Sequence, residues 1–568
     1  MLAIIQEIIV RNFKKSIWQN QSPVLSGKKL EPTLGQRFNR RLVAILGLFL
    51  IAAMIPSAVF AAPSSSGCSN RELNTIDKLL NCVDADGVLE HLAAFQAIAD
   101  ANGGIRASGT SGYDASADYV AGLLEDAGYI IERQEFSFSL YSENSSSLTA
   151  DGVAVETQTM SYSGSGVVND GNVISVDLDL GLGNSSTSGC ETTDFDGLDF
   201  SGANDIALIQ RGSCAFGLKA INATAAGAEA VIIFNQGNAD GRFGIIGGTL
   251  GEGVVGIVNI PVLDVAYDDA LIILNAADVD LAADTTILTK TTENVIADLP
   301  GVNSDNVVMS GAHLDSVDEG PGINDNGSGS AALLAIALEL GNNKKYTPQN
   351  TLRFAWWGAE ESGLIGSNEY VFNPEFGLTN EEYFALAAYL NFDMVGSPNA
   401  IYGVYDADES TFTASAPVPA GSAALEDLFE AYYSINGVPY EDSAFSGRSD
   451  YQAFISVGIP ASGLFTGAEG IKTEEQAAIW GGTAGDQYDP CYHQACDTID
   501  NLSIEALEIN VDAIAYAIFN LAASTEAVNG VPGVEAKGIT PDEVDFDGPQ
   551  GTFLAGGGLS AGHGHASE

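Results

Sequence analysis

Between Asp86 and Ala101 the apolar residues Val88, Leu92, Phe95 and Ile98 recur at three- and four-residue intervals, which predicts an amphipathic helix. His91 lies beside that stripe and is expected as a packed residue rather than a ligand. A second helix is predicted over Ala115–Ala127, stopped by Gly128. Ile130–Phe138 then alternates apolar and polar residues, as a half-buried strand does. From about Leu140 to Thr289 short β-like runs alternate with Gly, Asn, Ser and Asp turns, and one helix is predicted near Lys219–Gly227. From Asn294 the rhythm becomes strand–helix–strand. Val307–Ala312, Thr351–Trp357 and Ala387–Phe392 are predicted strands, and Ser328–Leu340, closed by Gly341, is a predicted helix. Strands joined by helical crossovers predict an α/β fold with a mostly parallel central sheet flanked by helices. The Gly- and Pro-containing stretch 527–568 ends in GGGLSAGHGHASE and is expected as a flexible tail, including its His563 and His565.

Charge and the termini narrow the class. Arg37, Arg40 and Arg41 precede an apolar run from Leu42 to Ile55, followed by Pro56 and by Val59 and Ala61 at cleavage-like positions. This predicts a signal peptide over 1–61 and export; a retained anchor is the alternative, since the run approaches the roughly 18–20 residues of a span. Six cysteines in an exported chain predict three disulfides, and local spacing pairs Cys68 with Cys82, Cys190 with Cys214 and Cys491 with Cys496. The 568 residues hold 22 Lys+Arg against 75 Asp+Glu. The leader to Ala61 carries eight of the basic and two of the acidic residues, so the remainder has 14 against 73, a net charge of −59. Such a surface excludes nucleic acid as a partner, and no stable membrane partner is expected after signal removal.

The candidate chemistry sits at predicted strand ends. His313 follows Val307–Ala312, Glu360 and Glu361 follow Thr351–Trp357, and Asp393 follows Ala387–Phe392. Parallel α/β sheets bind ligands at these carboxyl ends. Asp325 stands in the turn PGINDNGSGS before a helix, and His493 lies in DPCYHQACD. Two imidazoles and three carboxylates suffice for two divalent metals when one carboxylate bridges, and two of the chain's five histidines belong to this set. Asp315, two residues after His313, is placed to accept the free imidazole N–H. Glu360 is the candidate general base and acid, and Tyr492 a candidate oxyanion donor. The spacing suits zinc, manganese or cobalt.

With these motifs, GAHLDS, WWGAEES, LNFDMVGS and DPCYHQACD among them, Asn294 to about Ala522 resembles the zinc aminopeptidases of metallopeptidase family 28. The run GIPASGLFTGAEGIKTEEQAAIWGGTAGDQYDPCYHQACDTIDN is most similar to secreted bacterial leucyl-type members. Asp86–Phe138 resembles the start of the same domain, and QRGSCAFGLKAINATAAGAEAVIIFN resembles a protease-associated (PA) domain. The resemblance implies a zinc-exopeptidase fold split into 62–139 and 291–526 by a PA domain over 140–290. It implies two Zn2+ per chain, one on His313 and Asp393, the other on Glu361 and His493, bridged by Asp325 and followed by a cis Asp325–Asn326 peptide. It implies hydrolysis by a metal-bound hydroxide with Glu360 as general base and Tyr492 at the oxyanion, and it places Arg448 and Phe465 at the substrate cleft. Arg448 suits a structural ion pair equally. The expected protein is a secreted, extracellular or periplasmic aminopeptidase acting on peptides with a free N-terminus and favouring apolar residues. The alternative is a carboxypeptidase or other peptide hydrolase on the same fold. A binding protein that had lost the chemistry would lack ligands, and here all five and the base are present.

Overall fold

The computed structural model describes Cys68 and residues 71–239, 241–414 and 416–534. The segment 1–61, expected as a signal peptide, and the tail histidines His563 and His565 lie outside the described residues.

After a short helix, Ile76–Leu80, come two longer ones, Ala85–Ala101 and Ser111–Ala127, each starting a little before its apolar pattern becomes visible. Asp84 accepts from the N–H of Gly87 and caps the first; Gly128, at φ 98°, ends the second in the left-handed conformation that glycine adopts without strain. His91 is buried, its Nδ1 2.8 Å from the Tyr119 hydroxyl, as a packed histidine should be.

Fifteen strands follow among the described residues. β1 (Ile130–Ala150) and β2 (Val153–Val155) lead into β3 (Gln158–Thr159), β4 (Gly166–Val168), β5 (Asn172–Val176), β6 (Asp205–Gln210), β7 (Ala230–Phe234) and β8 (Val262–Val265). The chain returns along β9 (Val279–Leu299) to β10 (Asn303–His313), β11 (Asn350–Trp357), β12 (Leu386–Phe392), β13 (Gly403–Tyr405), β14 (Glu441–Ser443) and β15 (Ala461–Phe465). The large sheet runs β14-β13-β15-β12-β10-β11-β9-β1-β2, with β4 also on β9. Its adjacent strands β11, β10, β12 and β15 are parallel. Antiparallel pairs flank them, so the parallel part is the part that carries the candidate ligands.

β1 runs well past the predicted Phe138. It pairs with β9 from Ile130–Asp298 to Ala150–Val279, making a long antiparallel ribbon with an irregularity at Glu143/Ser145. The stretch SENSSS shows no apolar alternation because most of it is exposed on the ribbon. At the ribbon's far end lies a second sheet, β3-β8-β7-β6-β5, in which β5 to β8 are parallel. Its strands DIALIQ and AVIIF are buried at every position, and the Phe216–Ala226 helix packs against one face. Tyr162 of this module reaches back, its hydroxyl donating to the carbonyl of Ser362 at 3.1 Å.

Behind the parallel strands lies the helix Gly327–Asn342, apolar nearly all round and almost wholly buried. The helices Ala85–Ala101, Ser111–Ala127 and Ile504–Ala523 enclose it. Asn326 caps this helix, its Oδ1 accepting from Gly329 N at 2.9 Å and from Met394 N at 3.1 Å. One side chain thereby fixes the helix start against the end of β12.

Candidate metal centre

The strand ends deliver their residues to one point. His313 closes β10, Asp393 follows β12, and Glu360 and Glu361 follow β11. Asp325 comes from the turn before the Gly327–Asn342 helix, and its peptide bond to Asn326 is cis. His493 comes from the loop 489–497. His313 Nε2 lies 3.3 Å from Asp325 Oδ1 and 3.4 Å from Asp393 Oδ1. His493 Nε2 lies 3.2 Å from Asp325 Oδ2 and 3.1 Å from Glu361 Oε2. Each oxygen of Asp325 thus belongs to a different donor triad. Ligands held tetrahedrally at about 2.0–2.1 Å stand roughly 3.3–3.4 Å from one another, so both triads have the spacing of a zinc shell. Asp393 Oδ1 is buried and accepts no hydrogen bond, as a ligand oxygen awaiting a cation would be.

The electrostatics agree with a cation site. Burial works to raise Asp325, but hydrogen bonds from His313 and His493 hold it well below the carboxylate range. Burial, then the Asp325 charge, pushes Glu361 up to about 7. Burial also works against protonated His313, yet Glu360 and Asp393 push it well above its usual value. The imidazoles are pulled toward positive charge by an excess of carboxylates.

A second layer holds the donors. Trp357 Nε1 donates to Tyr389 OH at 2.8 Å, Tyr389 OH to Asn391 Oδ1 at 3.0 Å, Asn391 Nδ2 to Ser449 Oγ at 2.8 Å, and Ser449 Oγ to Asp393 Oδ2 at 2.6 Å. Such a buried chain fixes which Asp393 oxygen remains free. Asp497 accepts from Asn324 N at 2.9 Å and Asp325 N at 3.0 Å, while Asp489 accepts from Asn324 Nδ2 at 2.7 Å. These two aspartates bracket the His493 loop and tie it to the Asn324–Asp325 turn. Within that loop Cys491 and Cys496 form a disulfide, as Cys68–Cys82 and Cys190–Cys214 do elsewhere. A five-residue separation constrains the unfolded chain less than longer loops do. Replacing both Cys491 and Cys496 by serine is therefore expected to lower kcat/KM by more than tenfold, roughly the cost of losing an outer support of a metal ligand, with a smaller effect on Tm. Activity and melting curves on one preparation check this ranking; a large Tm loss with intact activity would reverse it.

Asp315 contributes in two ways. Its backbone carbonyl, 3.1 Å from His313 Nδ1, is the nearer acceptor, and its carboxylate Oδ1 stands 3.6 Å from the same nitrogen. That Oδ1 also accepts from Glu360 N at 3.3 Å. Glu360 itself is buried beside His313, Glu361, Asp450 and Asp393, and burial first, then Glu361 and Asp450, push it well above the usual range against the pull of His313. Tyr492 stacks on His493, ring centroids 3.8 Å apart, and accepts a hydrogen bond from Arg448 Nη2 at 3.3 Å. Burial and then Asp325 push its phenol well above 10, so it remains an O–H donor. Arg448 lines the cleft beside the donor residues and also pairs with Glu469 at 2.7 Å. Phe465 is different. It packs against the cluster containing Tyr405, Phe445 and Tyr451 and is not among the residues lining the cleft, where Leu364 and Met394 supply the apolar surface instead.

Two residues escaped the sequence reading. Arg106 is fully buried; it donates to the carbonyls of Leu314, Pro321 at 2.8 Å and Gly322 at 2.6 Å, gripping the loop between His313 and Asp325. Burial brings it down to about 10, still charged at neutral pH. Its only sequence signal was rarity, as one of seven arginines after the leader. Asp450, fully buried, is pushed up to about 7 by burial against the pull of His313 and of the Ser367 hydroxyl. Backbone conformation offers a further mark. Ala359, Met394 and His493 have φ of 55°, 54° and 55°, a conformation uncommon outside glycine and concentrated at functional sites.

A parallel α/β sheet with paired donor triads beyond its strand ends, one carboxylate shared between them, is the build of a metallo-exopeptidase. The chain belongs to Peptidase family M28, whose family model matches residues 294–518, and a PA domain matches residues 171–273. It is 48% identical over 478 residues to "Aminopeptidase" of Pseudomonas aeruginosa (strain UCBPP-PA14), covering 82% of this chain and 86% of the relative. It is 36% identical over 480 residues to "Leucine aminopeptidase 2" of Trichophyton tonsurans, covering 84% and 91%. The solved structure of the aminopeptidase from Aneurinibacillus sp. strain AM-1 superposes with a TM-score of 0.60 at 27% identity, covering 81% of this chain and 97% of that one. The protein is an aminopeptidase on a mixed α/β peptidase fold with a PA domain.

Proposed function

We propose that this aminopeptidase works outside the cytoplasm with two zinc ions per chain and releases single N-terminal residues, apolar ones preferentially. The observation that carries the reading is the division of Asp325, one oxygen facing His313 and the other His493. His313 and Asp393 would hold one zinc, Glu361 and His493 the other, with Asp325 between them. When bound, the zinc ions supply Lewis acidity, polarising the scissile carbonyl and lowering the pKa of water. Glu360 takes the proton from the attacking water and returns it to the leaving amine. Tyr492 donates its hydroxyl to the developing oxyanion, and Arg448, bonded to that hydroxyl, orients it. Glu360 and Asp393 provide negative charge for the substrate's α-ammonium group. Leu364 and Met394 give the first side chain an apolar wall. The three disulfides suit an oxidising compartment. The peptidase domain is read as 62–139 plus 291–526, interrupted by the PA module over 140–290.

The test is a peptide series with metal analysis. Leucine, methionine or phenylalanine at the N-terminus is expected to be released at least about tenfold faster, in kcat/KM, than aspartate or glutamate, the scale of discrimination an apolar pocket provides. N-acetylation is expected to abolish cleavage. Efficient hydrolysis of an acetylated peptide, or stepwise loss from the C-terminus, would instead establish the carboxypeptidase alternative.

A further inference from the structure

A second group of carboxylates gathers on other elements. The turn after β13 reads DADEST, from Asp406 to Thr411, and leads toward the helix Ser422–Asn436; β14 runs beside β13. Oxygens of Asp406, Asp408 and Glu426 lie within 4.8 Å of one another. Asp406 accepts from the N–H groups of Ser410 at 2.9 Å and Thr411 at 3.0 Å, which folds the turn around it. Glu426 accepts from Ala407 N at 2.9 Å and Asp408 N at 3.0 Å, which brings the helix to the turn. Asp442 of β14 closes the group, its Oδ2 accepting from the hydroxyls of Ser410 at 3.2 Å and Thr411.

Two observations separate this group from an ordinary solvated acidic turn. Asp442 is 9% exposed, and its Oδ1 is buried with no hydrogen-bond partner. Glu430, one helical turn after Glu426, is 6% exposed, and its charged neighbours are Asp442, Asp427, Asp408 and Asp406. Buried carboxylates need a partner, because an unpaired charge out of water is costly. No lysine or arginine occurs between Arg353 and Arg448, so the local chain supplies none. Burial, followed by Asp408 and Glu430, pushes Glu426 up to about 9.

We infer that Asp406, Asp408, Glu426, Glu430 and Asp442 form a structural calcium site joining the β13 turn, the Ser422–Asn436 helix and β14. The donors are all oxygen, with no imidazole or thiol, which selects a hard cation over zinc. Oxygens up to 4.8 Å apart fit across a calcium shell of about 2.3–2.6 Å bonds, and an irregular set of carboxylates and hydroxyls suits calcium better than the strict octahedron of magnesium. Exposed Asp408 gives the ion a path from solvent. The ion would lock three elements separated in sequence at the edge of the sheet that carries the metal centre.

The experiment is equilibrium dialysis of the zinc-loaded full chain against 45Ca in about 0.5 M NaCl, where salt screens diffuse association with the acidic surface. One ion per chain is expected, with Kd below about 10⁻³ M, the range of extracellular calcium modules. Calcium at 10 mM, by design well above that Kd, is expected to raise Tm by about 1 °C or more over the same ionic strength of NaCl. Asp442→Asn and Glu430→Gln are expected to lose both effects. In calcium-free buffer they should melt at or above the wild type, because each removes a repelling charge. That last readout distinguishes a lost ligand from a damaged fold. Absence of stoichiometric calcium in the wild type, or variants that bind and respond as it does, would overturn the inference.

Discussion

Glu360→Gln is expected to lower kcat by about 10²–10⁴-fold, the usual worth of a positioned acid–base group, while both metals stay bound. The amide keeps the shape of the side chain and cannot accept a proton. Its position would survive, because the backbone holds it: Glu360 N donates to Asp315 Oδ1, and the N–H groups of Gly363 and Leu364 donate to the Glu360 carbonyl. Neither distance binding Asp325 to the two imidazoles involves Glu360. Loss of turnover with full metal content is therefore the expected pattern, read by steady-state kinetics and elemental analysis of one sample. Wild-type turnover would remove Glu360 from the mechanism. Loss of metal would make it a ligand instead.

Asp325→Ala is expected to lose metal and activity together, with kcat/KM falling by more than about a hundredfold, the upper end of what loss of an outer partner alone costs. The side chain contributes one oxygen to each triad, so its removal leaves His313 with Asp393 and His493 with Glu361. Two protein ligands fall short of the three that catalytic zinc sites ordinarily use. Both ions should be affected, unlike in a variant of Asp393 or Glu361, where one triad remains whole. Two metals retained at wild-type affinity in Asp325→Ala would refute the bridging assignment. Asp325→Asn, which preserves shape but carries a single acceptor oxygen, should lie between the alanine variant and the wild type.

The helical and strand periods that the sequence displays are records of burial, so they were legible wherever one face meets the core. Val307–Ala312, Thr351–Trp357 and Ala387–Phe392 fall inside β10, β11 and β12 and were legible as short apolar runs, because both faces of these strands are buried. The exposed polar half of β1 carried no such record; its strand state comes from pairing with β9, far away in the chain. Disulfide partners were legible because all three are local.

For the site, the sequence by itself determined the cast: which carboxylates and imidazoles stand just beyond apolar strands, and which two glutamates stand side by side. Short motifs set these choices, since a residue one or three places past a strand end must emerge at the sheet's edge. Distances and partners were decided only by the tertiary structure. The splitting of Asp325 between two imidazoles depends on a loop almost 170 residues further on, held by Asp489 and Asp497. Arg106 reaches its three carbonyls across a sequence separation of more than 200 residues. Phe465 packs, partly buried, against a cluster assembled from β9 to β15, which its own short motif does not reveal. Asp442 and Glu430 meet the DADEST turn only when β14 lies beside β13. Local pattern encodes whether a side chain is buried; which groups it meets there depends on how distant segments pack, and that information is spread over the whole chain.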